Sequence, residues 1–328
     1  MPVEIAKKTL YNLLRLHSAE DKLANVEPWQ ILDYRQLNFS DLFEKLKALD
    51  IHLDKASFLI YAENYDAPEE LAEDLLAETD DIVIHDKVYL LIFELWRRFV
   101  PSKRSISVFC DEIDYRIHQY DLGKFHADES ICEILYELKV ILDSSAESGE
   151  DLYKIFEIIC SHCANDLESF LYDFLSELLD QGLTETVIEL LGYFSRYVLD
   201  IKWFEFLTAR TLAVTDFDEA RPYLQSIIDR DPQEEGLLEL ILELLYFLIQ
   251  QGDQPLFIKG VKKVIPLLTE EGELRELIDI CIQYCDYLEF KQKKLSLINL
   301  LNQRMQSMKD LTTLTTNADK EQVLKILL

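Results

Sequence analysis

The 328-residue sequence predicts an all-α protein built as a solenoid of stacked antiparallel helix pairs. Three observations carry that expectation. Glycine and proline number only eight each while 49% of residues are hydrophobic, a composition that favours helix throughout because helices tolerate few of either residue. Turn-like breaks at Gly149, Gly182, Asp216, Gly252 and Asp286 are separated by 33, 34, 36 and 34 residues. Between the breaks, apolar residues recur at helical spacing in paired stretches. One helix-turn-helix per period of about 34 residues marks a helical repeat array.

The clearest unit runs from Ile201 to about Gln233. Its first helix carries Phe204 and Leu207 on one face, with Thr208 and Ala209 small enough for close helix contact. Asp216 and Asp218 suit the turn and place negative charge at the start of the second helix, where the macrodipole favours it. Ala220 permits close approach, Leu224 and Ile227 continue the buried stripe, and Asp231-Pro232 stops the helix. The run Thr215-Asp216-Phe217-Asp218-Glu219-Ala220, with Leu224, Ile227 and Asp231-Pro232, resembles the middle and end of a tetratricopeptide (TPR) repeat. The resemblance implies a right-handed, TPR-like α-solenoid whose usual product is a binding surface. Neighbouring units are degenerate. Phe170 to Tyr197 has Val187 where the family places a small alanine, Leu237 to Thr269 has a long first helix and an early Pro266, and the last pair spans Glu273 to about Met308.

The first third is less regular. Helices are expected at Glu4 to Leu16, Phe39 to Leu49, Pro68 to Ala77, Lys87 to Phe99 and Ser105 to Tyr120, with a break at Val100-Pro101-Ser102-Lys103. Residues 1–125 read as a divergent helical region packed on the array and 126–308 as the repeats, with the boundary in Asp121 to Asp128. Residues 309–328 read as a polar linker, Asp310 to Lys320, and a short apolar helix, Gln322 to Leu328, that docks on the body or on something else.

A net charge of −29 repels nucleic-acid phosphates and anionic membrane surfaces. It favours basic partners, or keeps an apolar protein soluble. Met1-Pro2-Val3-Glu4-Ile5 lacks the basic and apolar regions of a signal peptide. Leu237 to Ile249, the most apolar run, is shorter than a membrane span and carries Glu239 and Glu243. The expectation is a soluble, cytoplasmic protein without nucleic-acid or membrane partners. Six cysteines make no disulfide framework.

Few constellations suggest chemistry. Cys160, His162 and Cys163 resemble half a zinc site, with Cys281 and Cys285 as a distant second pair. Spacings of three and four equally place packing thiols on one helix face. Asp114 and His118, with Glu112 nearby, read as an exposed ionic pair before a metal or acid–base pair. Arg97, Arg98, Lys103 and Arg104 read as a solvated turn. No phosphate-cradling glycine motif or nucleophile elbow occurs. No catalytic residue and no cofactor is expected.

An acidic stripe is the leading functional signal. The helix from Leu237 is apolar almost all round except at Glu239 and Glu243, so this stripe must face water. Asp173, Glu177 and Asp180 make a comparable stripe earlier, Glu205 adds to it, and Tyr172 and Tyr246 lie close by. In an α-solenoid the first helix of each pair lines the concave groove, so Tyr172, Asp173, Glu177, Glu205, Glu239, Glu243 and Tyr246 are the expected peptide groove. A solvated face is the competing reading. TPR domains that hold acidic chaperone tails use lysine and asparagine here, whereas this face offers Glu205, Ala209, Glu239 and Glu243. The expectation is therefore a non-catalytic protein-interaction scaffold or adaptor for a basic or amphipathic segment. The alternatives are a secretion-type chaperone holding an export substrate, a helical metal-dependent enzyme, and a protein that self-associates through its last helix.

Overall fold

The computed structural model describes residues 6–18, 26–76, 81–124, 127–149, 151–306 and 310–328. Among them are seventeen α-helices and no β-strand, so the all-α expectation holds. The expected start at Glu4, Ala77, the 125/126 boundary, Glu150 and the end near Met308 lie outside the described residues. The chain divides into two compact units, Met1–Leu171 and Tyr172–Leu328.

The first unit contains α1 (Lys7–Ser18), a 3-10 turn (Tyr34–Gln36), α2 (Phe39–Ala48), α3 (Lys55–Ala62), α4 (Pro68–Leu75), α5 (Ile82–Phe99), α6 (Ile106–Asp121), α7 (Ala127–Glu147) and α8 (Leu152–His162). Every residue of α5 from Val88 to Trp96 is buried. A helix apolar nearly all round belongs in the middle of a core, and α2, α4 and the 3-10 turn pack against it. Asp81 starts α5 by accepting from the Val83 and Ile84 amides, and Ser105 caps α6. Helix α3 was not expected. Its start is fixed by a capping box between Asp54 and Ser57.

Burial overturns two expectations here. Asp114 and His118 are not an exposed pair: Asp114 is 5% exposed while His118 faces solvent. Asp114 instead accepts from the Ala164 and Asn165 amides, Asn165 Nδ2 and Asn12 Nδ2, tying α6 to α1 and to the segment after α8. The basic cluster is not a solvated turn. Arg97 and Arg98 both pair with the buried Glu94, and Arg98 also donates to the Leu37 and Arg35 carbonyls. Lys103 Nζ donates to the carbonyls of Ala62, Glu63 and Tyr65, at 3.2, 2.9 and 2.8 Å, closing the end of α3. Arg104 pairs with Glu137.

The unit division falls within α9 (Leu167–Asp180). The second unit continues through α10 (Thr184–Phe194), α11 (Ile201–Thr215), α12 (Phe217–Ile228), α13 (Leu237–Gln251), α14 (Gln254–Val264), α15 (Glu271–Tyr287), α16 (Lys291–Gln306) and α17 (Asn317–Leu327). The odd helices α9, α11, α13 and α15 begin 34 to 36 residues apart. Helix α11 packs on α12 and α13, α13 on α14 and α15, and α12 on α14. Asp216 ends α11 and caps α12 by accepting from the Asp218 amide, as its place in the sequence predicts. Gly252 ends α13 at φ +68°, a left-handed conformation that glycine adopts without a Cβ clash.

Asp310 to Lys320 is not a linker. The Glu271 and Gly272 amides donate to the Thr313 and Leu311 carbonyls at 2.8 Å, and Thr315 donates back to Thr269. Thr316 and Asp319 form a capping box for α17, whose Val323 and Leu327 are buried as the helix packs on α14, α15 and α16. Threonine richness here serves an extended pairing and a helix start. The two are tied by charge: Arg304 bonds both oxygens of the fully buried Glu271, at 2.9 and 2.5 Å, and reaches Asp319 at 2.9 Å.

Candidate functional site

Three odd helices of the second unit, α9, α11 and α13, surround a cleft of about 380 Å³. Its apolar wall comes from Leu179, Phe206, Val214 and Phe247. Its polar wall comes from Ser176, Asp180, Arg210, Glu243, Gln250 and Gln251, with Tyr246 at the edge. Helical spacing explains the supply from α13: Glu243, Tyr246, Phe247 and Gln250 are three or four residues apart and so share one face.

Arg210 joins the three helices. From α11 its guanidinium donates to Ser176 Oγ and to Asp180 Oδ1 (2.8 Å) on α9, and it stands 4.0 Å from Glu243 on α13. The side chain is 12% exposed, whereas those of Asp180 and Glu243 are 71% and 40% exposed. Tyr172 completes the connection: its hydroxyl donates to Glu243 Oε1 at 2.6 Å, and its ring meets Trp203 edge-on at 5.2 Å. Burial, reinforced by the bond to Glu243, pushes the Tyr172 hydroxyl far above the usual phenol range, so it stays a donor.

Of the seven expected groove residues, Glu243 and Tyr246 line this cleft, and Tyr172 adjoins it through its bond to Glu243. Among the described residues, the other four are not part of its lining. Asp173 and Glu177 are exposed on α9. Glu205 is drawn aside by Arg230 (2.5 Å), which also binds Glu234 (2.6 Å). Glu239 lies further along α13, next to α15, where Glu276 is exposed. Partial burial, with Glu273 and Glu239 close by, holds the Glu276 carboxyl above its usual range. Partial burial beside Glu276 and Asp279 likewise raises Tyr246. Like charges therefore crowd this part of the surface, Glu276 between Glu273 and Glu239.

Sequence reasoning missed Arg210, yet a signal exists. Ser176, Arg210 and Glu243 are 34 and 33 residues apart, so they hold corresponding places in three successive periods. In a periodic helical array such residues become neighbours. A search confined to acidic stripes passes over the cation that joins them.

The candidates Cys160, His162 and Cys163 lie in the first unit. Cys163 is buried at the end of α8, and interaction with Cys110 together with burial raises its pKa well above the ordinary range. Burial, with Glu168, Asp166 and Cys110 adding to it, pushes Cys160 up to about 12. His162 Nδ1 lies 2.8 Å from the Ile158 carbonyl. Cys281 and Cys285 are buried on α15 in the second unit. Among the described residues no group of three or more His, Cys, Asp or Glu side chains converges to hold a metal, and no helix is long and apolar enough to cross a membrane. No protein-family model, curated protein or solved structure matches the chain.

Proposed function

We propose that this chain is a non-catalytic scaffold of TPR-like helix pairs that binds a basic or amphipathic segment of another protein. The segment lies across α9, α11, α13 and α15. The observation that carries this reading is the cleft itself, about 380 Å³ deep in three successive odd helices and bearing apolar, aromatic and carboxylate groups together. Recurrence of odd helices at 34 to 36 residues, each packed on the next from α11 to α15, supports an arrayed face rather than an isolated pit. Apolar and aromatic walls supply contact area, while exposed carboxylates select cations and speed encounter. Crowding of Glu239 against Glu276 points the same way, because a lysine or arginine placed between them relieves repulsion that the free chain must bear.

The test is binding of a fluorescein-labelled amphipathic peptide of leucine and arginine, measured by anisotropy. Glu239→Lys with Glu276→Lys changes two exposed side chains and leaves the Tyr172–Glu243 bond in place. The expected result is at least a ten-fold loss of affinity. Unchanged affinity would remove α13 and α15 from the binding face.

A further inference from the structure

We propose that Arg210 is a built-in occupant of a guanidinium seat, and that a basic side chain of the bound segment takes this seat by displacing it. The inference rests on the scaffold reading above and adds to it the residue that sets selectivity.

The seat is made by Ser176 and Asp180 from α9 and Glu243 from α13, with the Phe206 ring beneath the cation at 6.0 Å. Two carboxylates, a hydroxyl acceptor and an aromatic face form a set of contacts suited to arginine. Among the described lining residues of the cleft, Arg210 is the one basic side chain. The chain thus displays, in its own free state, the ligand chemistry the cleft accepts.

Exchange is feasible because the seat is one-sided. Arg210 is mostly covered, but Asp180 and Glu243 remain open to the cleft. A guanidinium arriving from the solvent side therefore meets acceptors that are already accessible. Pairs made with exposed carboxylates are individually weak, so replacing one guanidinium by another changes the free energy little. A neutral side chain that pushed Arg210 out would leave Asp180 without its cation and Glu243 with the Tyr172 hydroxyl alone, and gain nothing in return. Arg210 thereby excludes neutral and acidic segments and lowers affinity for basic ones, a device that favours discrimination over strength.

The experiment uses the full-length chain with two labelled peptides, one of leucine and arginine and one of leucine and glutamine. With Arg210→Met, affinity for the arginine peptide is expected to rise about two- to five-fold and discrimination between the peptides to fall, because the neutral peptide no longer displaces a paired cation. Lys259→Met removes the same charge from an exposed pair with Asp229 and controls for net charge; it is expected to leave affinity unchanged. Asp180→Asn, an exposed substitution that spares the fold, is expected to weaken the arginine peptide several-fold. Equal or weaker binding by Arg210→Met, or no effect of Asp180→Asn, overturns the seat while leaving the scaffold reading intact if Glu239→Lys with Glu276→Lys still abolishes binding. Absence of binding by the unsubstituted chain overturns both.

Discussion

Within Met1–Leu171, charge is buried in a mesh. Asp111 receives Lys8, Asn12 and Arg35, Asp114 receives Asn12 and the 164–165 backbone, and Glu94 receives Arg97 and Arg98. Within Tyr172–Leu328 one buried ion triad, Glu271 with Arg304 and Asp319, fixes the last helix. Elsewhere in that unit several polar ties join residues about one period apart, such as Arg210 to Ser176, Arg221 to Asp253 and Lys263 to the Arg230 carbonyl, and Tyr172 to Glu243 spans about two. The difference has a physical origin. From α11 to α16 each odd helix packs on the helix that follows it, and α11, α13 and α15 pack in succession, so apolar faces can set much of their order. The helices of the first unit run from eight residues in α3 and α4 to 21 in α7 and have no repeated partner. There the mesh supplies directional contacts, each satisfied in only one arrangement. Buried charge is an uncertain source of stability but a strong source of penalty when half of a pair is removed.

That contrast gives unequal responses to substitution. The largest is expected for Glu271→Ala, which leaves Arg304 covered and without its main partner; the cost is about 3–5 kcal/mol. Hydrogen exchange should show lost protection in α14 to α17 while α5 keeps its own, and equal loss in both units would mean that they unfold together. Acidification comes next. Burial works to raise Asp111, but Lys8 and Arg35 outweigh it and hold the carboxyl well below the usual range. Its unfolded value is about 3.9, so its stabilising share is complete above about pH 5 and is lost as the pH falls through 4 toward the folded value. Urea midpoints measured between pH 6 and pH 3 should fall for the natural chain and fall less for Asp111→Asn. The smallest pair of effects compares two helix ends. Lys103→Met removes three carbonyl contacts at the end of α3, and Asp216→Ala removes the cap of α12; each is expected to lower stability by about 1 kcal/mol in thermal unfolding. A much larger cost for Lys103→Met would assign α3 to the cooperative core of its unit.

The same contrast explains what could be read in advance. Breaks at Gly182, Asp216 and Gly252 fall at helix ends because a turn residue acts locally, through its own φ or its own cap. The buried face of α13 follows from its apolar run. Helix α3 escaped notice because Lys-Ala-Ser-Phe-Leu-Ile-Tyr-Ala is eight residues long and carries no clear stripe. Asp114, Glu94 and Lys103 look in sequence like surface charges, and only the distant partners that cover them show otherwise. Of the cleft, Asp180, Glu243 and Tyr246 were legible from their place on apolar helices, as was Tyr172, which bonds Glu243. Glu205 was misplaced because Arg230, 25 residues on, turns it aside. Arg210 was missed because acidic composition drew attention away from the rare cations that organise it.

The triad at Glu271 also has a consequence for the order of events during synthesis. Arg304 follows Glu271 by 33 residues and Asp319 by 48. At about 5–20 residues per second, the ribosome needs about 2–10 s to make that interval. Until Arg304 has emerged, Glu271 has only Arg275, four residues on, as an ionic partner, and the place it occupies in the finished chain would be costly to enter. The cleft has a wait of its own, since the Tyr172–Glu243 bond that ties α9 to α13 closes over 71 residues. The nascent chain therefore completes its cleft only once Glu243 has emerged, and must then keep the α15 end open for several seconds more, the interval in which chaperone holding or a wrong contact would act.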